Sequence, residues 1–191
     1  MDLISGLFSA FGLSASAGLN AYIPLLVIAL LARFTNLIRL HEPWNSLTSW
    51  WVIGVLVLLS LVEFFADKIP AVNHVNDLIQ TFIRPAAGAV VFAASAGVVS
   101  NLHPVLSLLA GLLVAGSVHT VKATAIRPAV TVTTGGAGNI PVSILEDILS
   151  TLVSILSVVI PVLFGILFIL LLGWLVWRLA QRRTSREKVR S

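Results

Sequence analysis

Ionisable side chains are scarce in this chain, and several stand where a bilayer would have to hold them. Glu63 lies inside an apolar run, and Asp67 follows four residues later, so on a helix the two carboxylates share one face. His119 and Lys122 share a face in the same way, and Thr120, Thr124 and Arg127 extend a polar stripe beside them. Ionised groups at membrane depth cost several kcal/mol unless paired or wetted, which makes them functional candidates by default. The simplest arrangement sets the Glu63/Asp67 face against a Lys122/Arg127 face, beside a water-filled cavity. Arg84, Arg127 and Lys122 would attract an anion there, while Glu63 or Asp67 balances charge or couples protons. Asn20 sits in the interrupted segment Gly18-Leu-Asn20-Ala-Tyr22-Ile-Pro24, and Asn139 closes the flexible run Thr131-Val-Thr-Thr-Gly-Gly-Ala-Gly-Asn139. The candidate substrate-binding set is therefore Glu63, Asp67, Arg84, Lys122, Arg127, Asn20, His119 and Asn139. The competing reading is a structural ion-pair network that fixes helix register and binds nothing.

Other chemistries lack their residues. Cysteine is absent, which removes disulfides, thiolate metal sites and cysteine nucleophiles. His74, His103 and His119 are scattered, without a metal-binding spacing. No serine carries a local nucleophile signature. The glycine-rich run is not a phosphate-binding loop, because no Lys-Ser or Lys-Thr follows it. It reads as a re-entrant backbone loop or an exposed one. The expectation is a protein with no enzymatic activity, metal or cofactor.

The elements that position these residues are membrane helices. Residues 148–177 contain no charged side chain, a run longer than the ~20 residues that cross a bilayer. With 58% hydrophobic and 10% charged residues and a mean hydropathy of +1.02, the chain lies far from soluble averages. Residues 1–177 read as one transmembrane domain and 178–191 as a basic cytoplasmic tail. From Arg178 onward there are six bases and one acid, whereas the first 177 residues hold six bases and seven acids. The net charge of +4 thus belongs to the tail, whose expected partners are membrane lipids with anionic headgroups. No aromatic-interleaved basic face exists for nucleic acid.

Five transmembrane helices are expected in an all-α polytopic protein, with four or six as alternatives. The first, within residues 3–32, is broken or re-entrant near 18–24, and Ala10, Ser14 and Gly18 give it a small-residue face. The second covers 50–66, the third 86–100 with Ala89, Ala93 and Gly97 at the same spacing, and the fourth 105–121. A tight connection, Asn101-Leu-His-Pro104, joins the last two. The fifth is bent or divided at Pro161. A second irregularity is expected near 128–141. The amino terminus carries Asp2 in place of a positive signal region and should stay in the mature protein. Five spans put the termini on opposite sides. A cytoplasmic tail then leaves eight Lys/Arg inside and four, in the 67–85 and 122–147 connections, outside.

Both outer connections contain Ile-Arg-Pro-Ala, at 83–86 and 126–129, and Ile-Pro followed by an acid, as Ile69-Pro70 with Asp77 and Ile140-Pro141 with Asp147. An internal duplication is one reading and chance similarity of helix starts the other. Duplicated membrane units often bind ligands where interrupted helices meet. The segments SASAGLNAYIPLL, FFADKIPAVNHVNDLIQTFIRPAAGA and KATAIRPAVTVTTGGAGNIPVSILEDI resemble a widespread family of small bacterial integral membrane proteins known only as a domain of unknown function. The resemblance implies an inner-membrane location and transfers no site residues. The function expected is a small carrier, transporter or flippase-type, for an anionic metabolite or lipid headgroup, working as a homodimer. A membrane scaffold or assembly factor is the alternative.

Overall fold

The computed structural model describes residues 3–96 and 102–188. Among them there is no strand. Helix α1 (Leu3–Leu19) stops just short of Asn20, and α2 (Tyr22–Phe34) begins just after Ala21. Pro24 is the cause: it has no N–H to donate to the Asn20 carbonyl, and its ring would collide with that carbonyl in a continuous helix. Asn20 becomes the cap instead. Its Oδ1 accepts from the backbone N–H groups of Tyr22 and Ile23, each at 3.1 Å.

After this break the chain turns back. Helix α3 (Trp50–Ala66) lies antiparallel to α2, since its Glu63 end meets Ala21 while Trp50 meets Arg33 and Phe34 at the other end. It is also antiparallel to α4 (Pro70–Ala96), with Glu63 on Arg84 and Asp67 on Asn76. Helix α4 is in turn antiparallel to α5 (Pro104–Val121), through Arg84 on His119 and Gly88 on Gly111. Helix α5 runs alongside α1 in the same direction, with Ser14 at Gly111, Gly18 at Ala115 and Leu19 at Lys122. Helices α1, α3 and α5 therefore point one way, and α2 points the other. The first element is a helical hairpin with its tip at residues 20–21 inside the protein and both open ends on one side. Of the broken and re-entrant forms expected near 18–24, this is the re-entrant one. A proline dictates where a helix stops and leaves the onward direction to packing.

Two further expectations change. The helix that holds the third span begins not at residue 86 but at Pro70, as α4 passes through Pro85 without ending. The fourth continues past Val121 through a π turn (Lys122–Ile126) into α6 (Arg127–Thr134). The 67–85 and 122–147 segments are thus largely helix, and several of their polar residues, among them Asp67, Gln80, Arg84, Lys122, Arg127 and Glu146, are buried. Gly97, and Asn101 of the expected connection at 101–104, fall outside the described residues. The uncharged C-terminal stretch is divided at Pro161 as expected, into α7 (Asn139–Val159) and α8 (Pro161–Lys188). Ile160, at φ −134° and ψ 60°, leaves the helical region as a residue before proline should.

Residues Asn76–Ala96, Pro104–Thr134 and Asn139–Val159 form helices long and apolar enough to cross a bilayer. Shorter apolar helices, including Ile4–Leu19, Tyr22–Phe34 and Trp50–Ala66, accompany them. This is an all-α membrane protein. The expected small-residue face of α1 is closely packed. The Ser14 hydroxyl donates to the Gly88 carbonyl at 3.2 Å or the Gly111 carbonyl at 2.8 Å, and a Cβ on Gly18 would stand 2.6 Å from the Ala115 oxygen. Backbones approach this closely only where side chains are minimal.

Candidate functional site

The hairpin tip leaves backbone groups that neither half-helix satisfies, and two ionised side chains take them. Lys122 Nζ donates to the Leu19 carbonyl at 2.9 Å, at the C-terminal end of α1. The Glu63 carboxylate accepts from the Ala21 N–H at 3.2 Å, at the N-terminal end of α2. Each charge is opposite in sign to the helix end it faces.

The π turn sets the second half of the site. In a regular helix residues five apart diverge by roughly 140°, which would send Lys122 and Arg127 to different faces. Here the Arg127 N–H bonds the Lys122 carbonyl, an i to i+5 link that stacks both cations on one side. Pro128 follows directly, and widening the turn relieves its ring from the Thr124 carbonyl.

Around the tip the charges interlock. Arg84 meets Glu63 at 3.0 Å and Asp67 at 3.7 Å. Arg127 meets Asp67 at 3.2 Å, Glu146 at 3.2 Å and Asp77 at 3.3 Å. Lys122 meets Glu146 at 2.8 Å. Asp67 also accepts from Asn76 Nδ2 at 2.6 Å and Ser143 Oγ at 3.4 Å. These three cations and the three carboxylates Glu63, Asp67 and Glu146 are all buried and balance in charge. At the rim, Lys68 pairs with Asp147 at 3.1 Å, Asn20 Nδ2 donates to Asp147 at 3.0 Å, and the Asp77 side chain is 30% exposed. Arg84 has only donors, so His119 Nδ1, 3.2 Å from it, is an acceptor. His119 is then the neutral tautomer, with its Nε2–H directed at Thr81 Oγ1 at 3.2 Å.

Seven of the eight candidates gather here: Glu63, Asp67, Arg84, Lys122, Arg127, Asn20 and His119. Asn139 does not. It bonds Thr131 across the exposed turn between α6 and α7, where Gly135 and Gly136 adopt φ of 62° and 90° and the Gly136 N–H closes on the Thr131 carbonyl. That run is the last turn of α6 and the turn that follows it. The pairing also differs in part. Asp67 meets Arg127 as expected, but Glu63 takes Arg84, and Lys122 takes Glu146. Glu146, Asp77, Asp147 and Lys68 were absent from the candidate set. The repeated motifs were their signal: both Ile-Arg-Pro arginines are in the network, Pro70 opens α4, Pro141 lies in the first turn of α7, and Asp77 and Asp147 occupy the rim. No group of three or more His, Asp or Glu is placed to hold a metal among the described residues.

A helical bundle with apolar outer faces and a neutral ion network around a buried hairpin tip is an integral membrane protein. The chain belongs to the family described as Domain of unknown function (DUF4126), whose model matches residues 7–182 and so takes in the hairpin and the whole network. No curated protein and no solved structure matches it.

Proposed function

We propose that the protein is a small membrane carrier for an anionic metabolite or lipid headgroup. One observation carries the reading: the buried α1–α2 tip, where two half-helix ends meet Lys122 and Glu63 within a network of three cations and three carboxylates. Interrupted helices whose ends point at charges are how carriers build sites inside a bilayer. An internal carboxylate occupies each cation in this arrangement, and a substrate anion would replace one of them. No chemical step on the substrate is involved. We place the protein in the bacterial cytoplasmic membrane with its basic tail on the cytoplasmic side, in contact with anionic headgroups. A homodimer would enlarge the enclosed volume beyond what 191 residues supply.

The test is reconstitution into phosphatidylethanolamine/phosphatidylglycerol vesicles. Labelled phosphate, glycerol phosphate, succinate and methanesulfonate are then offered. Saturable uptake of at least one above protein-free vesicles, lost in an Arg127→Gln variant that elutes as folded protein, is the expected result. No uptake of any probe overturns the carrier. The scaffold reading then takes its place, and the saturation of Arg84, Lys122 and Arg127 by carboxylates within 3.3 Å is what favours it.

A further inference from the structure

One carboxylate in the network is used on one side only. Glu146 directs its Oε2 at both Lys122 (2.8 Å) and Arg127 (3.2 Å), while its Oε1 is buried with no hydrogen-bond partner among the described residues. The Glu146 side chain is 8% exposed. A buried acceptor left unmade is costly, and such atoms call for a donor. On α7, Glu146 belongs to a buried stripe with Ser143, Ser150, Ser154 and Ser157. That stripe faces serines of α1. The Ser16 hydroxyl lies 2.8 Å from Ser150 Oγ and 2.7 Å from Ser154 Oγ, Ser150 Oγ donates to the Ser16 carbonyl at 3.2 Å, and Ser9 Oγ donates to the Ser157 carbonyl at 2.6 Å. From Glu146 to Ser157 the seam covers about 16 Å of α7. It runs from the network toward the side where the hairpin opens, while Asp77 and the Lys68–Asp147 pair mark the opposite rim.

We propose that Glu146 is the proton-coupling residue of the carrier and that the α1–α7 serine seam, with intervening water, supplies its proton. The inference rests on the carrier reading above. Within the linked trio Ser154, Ser16 and Ser150 each hydroxyl accepts one proton on its oxygen and releases its own to the next, and water carries the proton to and from the trio, until an O–H bond forms at Glu146 Oε1. Glu146 then carries no charge. Arg127 keeps Asp67 and Asp77, but Lys122, 2% exposed, loses the carboxylate it pairs with and would stand as an uncompensated buried cation. An uncompensated buried charge costs several kcal/mol, so the proton stays only if one monoanion enters to take the Oε2 place. Proton and anion bind together, and Lys122 regains an anionic partner. The groups around Glu146 fit this exchange. Lys122 comes from the end of α5, Arg127 from α6, Asp67 from the end of α3 and Asp77 from α4, the latter two sharing Arg127. Asp147 beside it on α7 is held by Lys68 and Asn20. Glu63, Arg84 and the neutral His119 complete the surroundings without a free charge.

Methanesulfonate, a monoanion that does not titrate near neutral pH, separates the possibilities. Its binding to the purified protein in weakly buffered detergent should take up one proton per anion, and the apparent affinity should weaken about tenfold per pH unit above the titration, as one-proton linkage requires. Glu146→Gln mimics the protonated state and should bind methanesulfonate without proton uptake and without the pH dependence. If that variant is unstable alone, methanesulfonate should restore its melting temperature toward that of the wild type. Ser16→Ala and Ser150→Ala should keep the binding stoichiometry and slow anion uptake driven by a pH gradient in vesicles. Binding without proton uptake in the wild type overturns the coupling and leaves the carrier standing. Proton uptake that persists in Glu146→Gln overturns the residue, and unchanged gradient-driven flux in both serine variants overturns the seam. Absence of any binding, of methanesulfonate or of phosphate, sinks the carrier itself.

Discussion

Removing Glu63 or Arg84 alone strands a buried charge, whereas removing both does not. Single Glu63→Gln and Arg84→Met substitutions should each destabilise the protein by ~3–5 kcal/mol, and the double variant by less than their sum. Detergent melts of the four proteins measure the coupling, and strict additivity would show that the pair does not interact. A Lys122→Met with Glu146→Gln cycle should give the same sign, while Glu63→Gln with Lys122→Met should couple more weakly because each has another partner. At this scale the sequence was informative about which residues are unusual. Glu63 in an apolar run and the arginines of two Ile-Arg-Pro motifs stand out by type and position. Glu146 and Asp77 do not, because each lies in a stretch polar enough to pass for a loop. Only the fold turns their helices inward. Partner choice was hidden for a related reason: Lys122 and Glu63 sit within reach of one another's helix ends, and only the direction of α2 assigns them.

Helices α4 and α5 touch through glycine, which makes their contact brittle at defined points. A Cβ on Gly88 would run into Ala115, and one on Gly111 into the Gly88 carbonyl, so either glycine changed to Leu should abolish folded protein in size-exclusion profiles. Gly54 on α3 has open space around it, and Gly54→Ala should be tolerated or slightly stabilising, by up to about 1 kcal/mol from helix propensity. A melting temperature that drops in Gly54→Ala would mean that α3 packs against something along that face. The prolines made the breaks at Asn20 and Ile160 legible. The π turn was not legible, because an i to i+5 register leaves no periodic trace over five residues.

Hydropathy reports the length of an apolar run and carries no information on whether a broken helix continues or reverses. That is why the hairpin reads as a single crossing until its contacts are known. The absence of native cysteine makes orientation directly measurable. Single cysteines at Ile4 and Thr35 should be labelled by an impermeant thiol reagent from the same side of the membrane, and one at Asn139 from the other. Labelling of Ile4 and Thr35 from opposite sides would restore a crossing first helix and refute the hairpin. Adding Leu102, which precedes α5, should give the Thr35 pattern, since α5 runs in the direction of α1.

The π turn has a further consequence for how the length of this helix can change. Positions five apart across an i to i+5 link occupy the same side as positions four apart in an ordinary helix, so the turn amounts to one inserted residue that does not alter facing. A chain lacking Ala125, with Pro128 replaced by Ala so that no ring meets the preceding turn, should wind as an unbroken helix and still present both Lys122 and Arg127 to the carboxylates. One deletion would therefore be silent here. The same deletion elsewhere in α5 would rotate every later side chain by about 100° and carry the cations toward lipid.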